Sequence, residues 1–446
     1  MSDKVQVGQY IIVQRQNYTK LHKFDKLESQ ITLGREIIQL RNIEGANFFQ
    51  TFKMKFKQSG KKRLYELELC DSAADVKEIL KSMESGSDNR NIVDDGKSQT
   101  LSNDEVLSLR ETKADSKEII ETIIANSKSF NEKTEYSQEK YIKKKEKKYF
   151  EFVQIRKPTI RLLAEIFYRQ DPEKALGLRI DSLSQLISYS GINPTGNYLL
   201  YESGTSGLVP AAFLNSMGEV GNAQLIHMHP GNFPQKQAIF ALNLSEEQLK
   251  KCISVNIYSV LRQFYQGPAE LPEVLDSENA DAETRKRKHE NGNDDESEEN
   301  PSKRANLETE DAPVKPAESK FQQREKERNL KKQKWQEENE EALKVLRNKV
   351  DSLTIVSKED PVPILKELLP FVNPGRPVVL FHTCKEILME CYSAVKAMSG
   401  LINVRLTTNF MRNYQVLPMR THPAVQIQGS SGWILTGYTI DPRNSE

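Results

Sequence analysis

The chain has 446 residues, 37% hydrophobic and 28% charged, with 64 Lys and Arg against 63 Asp and Glu. That length holds two or three domains with a sizeable core, and a net charge of +1 excludes a global field drawing the protein to nucleic acid, so any such attraction is local. Four scattered cysteines (Cys70, Cys252, Cys384 and Cys391) form no CxxC pair and read as reduced thiols, and no apolar run matches a signal peptide or a membrane span, so a soluble intracellular protein is expected.

Residues 1–70 read as β structure. Apolar, partly alternating runs at 5–13, 31–34, 37–40, 48–56 and 63–69 are separated by polar turns, which predicts a small N-terminal β-barrel. Residues 71–150 read as a linker with helices and a basic segment. The stretch 88–99 is dense in amides and turn formers, and Asp95-Gly96 marks a tight turn. Ser102 with Glu105 three residues on makes a capping box, and a helix around 117–127 gathers Ile119, Ile120, Ile123 and Ile124 on one face. Six lysines (Lys140, Lys143, Lys144, Lys145, Lys147 and Lys148) then fall within nine residues, bordered by Tyr141 and Tyr149. Such a block is either a solvated face or a phosphate-binding patch.

From 151 to 446 helices and strands alternate. A helix after Pro158 carries Ile160, Leu163, Ile166 and Phe167, and another, capped by Asp181, buries Leu183, Leu186 and Ile187 and stops at Gly191. The strand at 198–201 runs into the turn Glu202-Ser203-Gly204-Thr205-Ser206-Gly207, and a helix follows with Pro210 in its first turn. Further strands at 223–229, 353–357, 377–381, 404–408 and 432–438, with a helix at 385–398, predict a mostly parallel sheet covered on both faces. An insertion at about 270–330 interrupts it. Its charged, apolar-poor stretch 280–312 is expected to be disordered. Within it Arg285-Lys286-Arg287-Lys288 and Lys303-Arg304 match a two-part nuclear localisation signal. Residues 321–350 have a charged helical composition whose apolar patch is Ala342, Leu343, Val345 and Leu346.

The glycine turn after a buried strand is the place where α/β sheets hold a nucleotide-type cofactor, because glycines admit close approach at a helix N-terminus. A working site also needs a carboxylate at the end of the next strand for the ribose. Here that strand ends His227-Met228-His229-Pro230, with no carboxylate. His227 and His229 are too few for a metal site and have no neighbouring ligand in sequence. His382 and His422 lack a nucleophile partner, so no hydrolytic triad is indicated. Glu359 and Asp360, before Pro361, stand either where a base-modifying methyltransferase places its acid or in a plain polar loop.

Three blocks, DNRNIVDDGKSQ at 88–99, KYIKKKEKKYF at 140–150 and YESGTSGLV at 201–209, together with RNYQVLPMRTHP at 412–423, resemble the non-catalytic subunit of the eukaryotic tRNA adenine-58 N1-methyltransferase. The resemblance covers most of the chain outside 270–335. It implies a Rossmann-like methyltransferase fold after the β-barrel, in an α/β protein. It implies obligate pairing with a homologous catalytic subunit in a heterotetramer of two heterodimers, and a nuclear location. It further implies that the partner holds S-adenosylmethionine and methylates the T-loop adenine of tRNA, including initiator methionine tRNA, while this chain holds no cofactor or metal and contributes tRNA binding. In catalytic relatives the loop runs Glu-x-Gly-Thr-Gly-Ser-Gly. Glu202, Gly204 and Thr205 match it, whereas Ser206, Gly207 and Leu208 depart from it, and Leu208 is expected to crowd the cofactor. The catalytic Asp-Leu-Pro-x-Pro pattern survives as Glu359-Asp360-Pro361-Val362-Pro363, with Glu359 in the aspartate's place. By block correspondence the tRNA contacts are Arg90, Asn91, Lys97, Ser98, Gln99, Lys140, Lys143, Lys144, Lys145, Lys147, Lys148, Arg412 and Arg420, with Tyr414 and His422 beside them. The alternatives are an active, stand-alone S-adenosylmethionine-dependent RNA methyltransferase and a scaffold without RNA contact.

Overall fold

The computed structural model describes residues 4–34, 36–58, 63–70, 99–102, 105, 106, 108, 116–131, 133, 134, 137, 138, 140–142, 144, 145, 151–267, 320–398, 400–417, 420–425 and 429–441. Residues 71–98 of the expected linker and the charged stretch at 280–312 lie outside them. The chain divides into two compact units, Met1–Asn256 with Lys344–Glu446, and Ile257–Leu343.

The first unit contains two seven-stranded sheets. The N-terminal sheet is built from β1 (Tyr10–Arg15), β2 (Tyr18–Lys23), β3 (Gln30–Leu33), β4 (Glu36–Gln39), β5 (Thr51–Gln58), β6 (Arg63–Cys70) and β7 (Phe152–Arg156), in the order β2-β1-β7-β5-β6-β4-β3. Only the β4–β6 pair is parallel. On β5 the apolar Phe52 and Met54 point inward and Lys53 and Lys55 outward, as a period of two requires. Lys20 on edge strand β2 donates to the Thr32 carbonyl on edge strand β3 at 2.8 Å, which brings the sheet close to a closed barrel. Two sequence expectations change here. Strand β2 was not indicated by the apolar pattern, because Tyr18–Lys23 is half basic. Strand β7, where no strand was expected, lies past the 151 boundary in the chain but hydrogen-bonds between β1 and β5 of the first sheet.

Between β6 and β7 in the chain, α1 (Ser116–Ala125) buries Ile119, Ile120, Ile123 and Ile124 against Val106, Phe130 and Ile142. The capping box forms as read: Glu105 N–H donates to Ser102 Oγ at 3.2 Å, and Ser102 N–H to Glu105 Oε2 at 2.8 Å.

The second sheet comprises β8 (Asn197–Glu202), β9 (Gln224–His229), β10 (Cys252–Asn256), β11 (Ser352–Val356), β12 (Pro377–His382), β13 (Leu401–Phe410) and β16 (Ser430–Thr439). Its order is β10-β9-β8-β11-β12-β16-β13. The five strands from β10 to β12 are parallel, and β16 is antiparallel to both neighbours. The helices are α2 (Ile160–Gln170), α3 (Ile180–Tyr189), α4 (Leu208–Met217), α5 (Gln237–Ala241), α6 (Glu246–Lys250), α9 (Pro361–Leu368) and α10 (Lys385–Ala397). This is the Rossmann-like methyltransferase arrangement, with first strand β8 at the centre and its chain order reversing between β8 and β11. A hairpin of β14 (Tyr414–Leu417) and β15 (Arg420–Pro423) lies between β13 and β16 in the chain. Asp181 does not cap α3 as its sequence position suggested. Arg179 takes the N-cap without a side-chain bond, and Asp181 instead pairs with the Arg179 guanidinium at 2.7 Å.

The second unit contains α7 (Ile257–Gln266) and most of α8 (Lys320–Arg347).

The run Ile11-Ile12-Val13 breaks strict alternation because both faces of β1 are covered. Ile11 and Val13 lie in the barrel core, and Ile12 lies in the core of the second sheet with Leu163, Leu200 and Leu208. Asn243, held at φ 52°, completes this seam: its Nδ2 donates to the Tyr10 carbonyl and its Oδ1 accepts from the Tyr10 N–H, both at 2.8 Å. Asn243→Ala removes two hydrogen bonds to part-buried backbone and leaves a Cβ residue in the left-handed region. A loss of about 2–3 kcal/mol is expected in chemical denaturation, with Asn243→Gly recovering only the backbone share.

Candidate functional site

Strand β8 runs from Asn197 through the buried Tyr198, Leu199, Leu200 and Tyr201 to Glu202, so a carboxylate is delivered to the buried crest of the sheet. Glu202 Oε1 accepts the Thr205 N–H at 2.8 Å, the Thr205 hydroxyl, and the Gly207 N–H at 3.4 Å. Its Oε2 faces His227 Nε2 at 2.9 Å, and both side chains are buried. Burial alone would favour the uncharged forms. For Glu202 the bonds from His227 and Thr205 outweigh that and hold the carboxyl below its ordinary range. For His227, Cys252 and Glu202 outweigh burial and push the imidazole up to about 9. His229, two residues on, goes the other way: burial and the nearby His227 charge push it down to about 4, so it is neutral at pH 7. Among the described residues no group of three or more His, Cys, Asp or Glu is placed to hold a metal ion.

The turn itself runs through three left-handed residues, Gly204 (φ 91°), Ser206 (φ 57°) and Gly207 (φ 77°). The space beside both glycines is filled by the chain's own atoms. A Cβ at Gly204 would stand 2.5 Å from Lys358 Cε, and one at Gly207 would stand 2.4 Å from the Gln235 carbonyl oxygen. Gln235 also takes the Ser206 N–H on its Oε1 at 2.8 Å, Ser206 Oγ donates to the Lys174 carbonyl at 3.0 Å, and the Ala238 N–H donates to the Ser206 carbonyl at 3.1 Å. The crowding expected from Leu208 therefore has another source. Leu208 is wholly buried in the sheet's apolar core, and Lys358 and Gln235 occupy the space.

The Glu359 region is similarly committed. Ser203 Oγ donates to Glu359 Oε2 at 2.5 Å and accepts the Lys358 N–H at 3.0 Å. His382, at the end of β12, accepts the Cys384 N–H on Nδ1 at 2.9 Å. Lys358, His382, Thr383 and Glu173 border a cleft of about 360 Å³. An S-adenosylmethionine site does not fit these residues. The face of Gly204 is covered, a neutral histidine stands at the end of β9, and the carboxylate nearest the reaction position is bonded to Ser203.

The RNA-side residues divide by location. Arg90, Asn91, Lys97, Ser98, Lys143, Lys147 and Lys148 lie outside the described residues, as does the side chain of Arg420. The structure brings Gln99 and the lysine block together, since Tyr141 OH donates to Gln99 Oε1 at 3.4 Å. The Tyr141 ring is flanked by Lys133 Nζ at 4.8 Å and Lys145 Nζ at 5.1 Å, while Lys140 and Lys144 are exposed. Arg412 is exposed on the segment between β13 and β14. On that hairpin Gln415 Nε2 meets His422 Nε2 at 3.1 Å.

Sequence reasoning left His227 without a neighbour. Its ligand-like partner is Glu202, 25 residues earlier but on the adjacent parallel strand. The available signal was a histidine between the apolar Leu225, Ile226 and Met228 of a buried strand, which burial forces to find a partner.

The Gcd10p family model matches residues 4–309. The tRNA (adenine(58)-N(1))-methyltransferase non-catalytic subunit TRM6 of Mus musculus is 31% identical, over 97% of this chain and 88% of its own. Its counterpart in Dictyostelium discoideum is 28% identical, over 98% and 80%. Among solved structures, a SAM-dependent O-methyltransferase from Thermotoga maritima aligns with a TM-score of 0.46 at 8% identity, covering 99% of this chain and 97% of that one. The tRNA (m1A58) methyltransferase TrmI from Aquifex aeolicus aligns at 0.37 and 9%, covering 98% and 99%.

The Glu202–His227 pair has a pH signature. His227, raised from 6.5 to about 9, contributes stability that is complete below 6.5 and is lost as pH rises through 9. Glu202, lowered from 4.5, contributes stability present above 4.5 and lost as pH falls further. Glu202→Gln is expected to cost about 3 kcal/mol at pH 6. It should also flatten the fall in unfolding midpoint between pH 7 and 10 that is expected of the native chain.

Proposed function

We infer the role of this chain from one premise: it belongs to the Gcd10p family. It is the non-catalytic subunit of a tRNA (adenine-N1)-methyltransferase complex. In our reading it binds the tRNA, while a separate catalytic subunit holds S-adenosylmethionine and transfers the methyl group to N1 of the T-loop adenine at position 58, initiator methionine tRNA included. The assembly we propose is a nuclear heterotetramer of two heterodimers.

The observation that carries this reading is the glycine turn filled from within. A sheet that keeps the methyltransferase strand order, yet packs Lys358 and the Gln235 main chain against Gly204 and Gly207, uses its glycine turn for contacts within the protein, which supports a chain that leaves the donor to its partner. Exposed apolar side chains support a partner-covered face around the hairpin: Phe410, Tyr414, Val416 and Val425 stand in solvent at the edge-strand end of the second sheet. The tRNA contact is carried by the lysine block. Lys140 and Lys144 are exposed beside the Tyr141–Gln99 junction, and the C-terminal Arg412 adds a further cation. Contacts of this kind fix orientation on phosphates and sugars without reading bases.

Titration calorimetry should give no saturable heat when S-adenosylmethionine is added to the isolated full chain, and one site per catalytic subunit in the complex. Saturable binding to the isolated chain would overturn the non-catalytic reading. In the complex, Lys144→Gln with Lys145→Gln should weaken tRNA binding and lower the slope of log affinity against log salt by about 1.5. An unchanged slope would reduce these lysines to a solvated face.

A further inference from the structure

The unit Ile257–Leu343 carries a groove between its two helices that the methyltransferase sheet does not use. Helix α7 buries Ile257 and Val260, which turns Tyr258, Arg262 and Gln266 outward at four-residue spacing. Helix α8 sets Gln336, Asn339 and Glu340 opposite them. The cleft between has a volume of about 480 Å³, inside the roughly 300–1,000 Å³ range of ligand sites. Its floor is fixed: Asn339 is 7% exposed, and its Nδ2 donates to Ser259 Oγ at 2.8 Å. Arg262 is oriented by a bond from its Nε to Gln266 Oε1 at 3.2 Å.

The lining is amide-rich, with one cation and one carboxylate, and contains no aliphatic side chain larger than the stems of these residues. That composition does not suit the aliphatic anchors of an amphipathic partner helix. It does suit an unstacked nucleobase, whose edges present paired donors and acceptors and whose face needs an aromatic ring. Aromatic rings stand ready in solvent: Tyr258 is 70% exposed, and Trp335, one turn before Asn339, is 50% exposed. Lys332, one turn before Gln336 on the same stripe, is also exposed. The first half of α8 is basic in sequence, with Lys320, Arg324, Lys326, Arg328, Lys331 and Lys332 against Glu325 and Glu327, and the half that lines the groove carries Lys334 with Glu337, Glu338, Glu340 and Glu341.

We propose that this groove binds one unpaired nucleotide of the RNA substrate, its base stacked on Tyr258 and held at its edge by Gln263, Gln266 and Gln336, its phosphate on Arg262 and Lys332. The proposal rests on the tRNA-binding reading and adds to it a contact that senses an unpaired base.

The test uses the full chain with its catalytic subunit and a tRNA transcript, read by fluorescence anisotropy at several salt concentrations. Tyr258→Ala should weaken binding about fivefold or more, as loss of one base–aromatic stack does, with Tyr258→Phe within about twofold of native. Arg262→Gln should lower the salt slope by about 0.8. Both side chains are at the surface, so the melting midpoint should not move. Lys144→Gln with Lys145→Gln is the reference. If that pair weakens tRNA binding while the Tyr258 and Arg262 variants bind like native, the groove inference falls and the tRNA reading stands. If none of the variants weakens binding, both fall. If Tyr258→Ala spares RNA binding but releases a co-purifying protein, the groove is a protein-docking surface and the inference is wrong.

Discussion

The site is ordered around one buried carboxylate. Glu202 ends the central strand β8 and collects the Thr205 N–H and hydroxyl, the Gly207 N–H and the His227 ring. An ionised group at that depth costs several kcal/mol in desolvation, so it persists only where donors converge on it. The left-handed backbone at Gly204, Ser206 and Gly207 is the path by which the chain turns back to supply those donors. The loop's shape is thus set by an internal ion pair, which needs no bound ligand to hold it. His227 in turn ties β8 to β9, and its charge helps keep His229 neutral two residues further on.

This separates two reasons for a glycine to occupy such a turn. One is close approach of a cofactor to the backbone. The other is close approach of the protein to itself, and here the second operates: any side chain at Gly207 would meet the Gln235 main chain, which cannot swing away as a flexible side chain could. A motif of this kind can keep its glycines after the pocket has closed, because the replacement packing imposes the same steric demand. The sheet is retained for a comparable reason. Its core includes Ile12 of the barrel, so the barrel and the sheet share one apolar seam, and neither can lose its shape without exposing the other.

How much of this was legible in the sequence follows the distance over which each interaction acts. The capping box at Ser102 and Glu105, the stop at Gly191 and the buried strands β8, β9 and β12 depend on neighbours a few residues away, and local pattern identified them. Strand β7 was not read at all, because its partners β1 and β5 lie about a hundred residues or more upstream. Asp181 reads as a cap in isolation, yet Arg179 two residues before it offers a stronger, charged partner. Altered loop and acid positions were visible as letters, and so was the missing ribose carboxylate. The groups that pack against the glycine turn, Lys358 and Gln235, were not, since each comes from a different strand end and nothing local marks it. The lysine block was visible as composition; its junction with Gln99 through Tyr141 is a tertiary fact.

A chain with a net charge of +1 cannot rely on long-range attraction to hold an RNA, and its cations must act in local groups within a Debye length of the phosphates. Lys140 and Lys144 form one such group, Arg412 belongs to another, and Arg262 with Lys332 to a third. On the tRNA-binding reading, each group alone would contribute only a few counterions of binding. Such groups joined through one chain would, on that same proposed function, act at high effective concentration on a single RNA, so affinity would come from their combination. That arrangement favours a ligand whose phosphates and unpaired bases match several patches at once, which a folded RNA does and a short unstructured one does not. On the function proposed above, such a chain would govern which RNA its catalytic partner meets without itself holding the methyl donor.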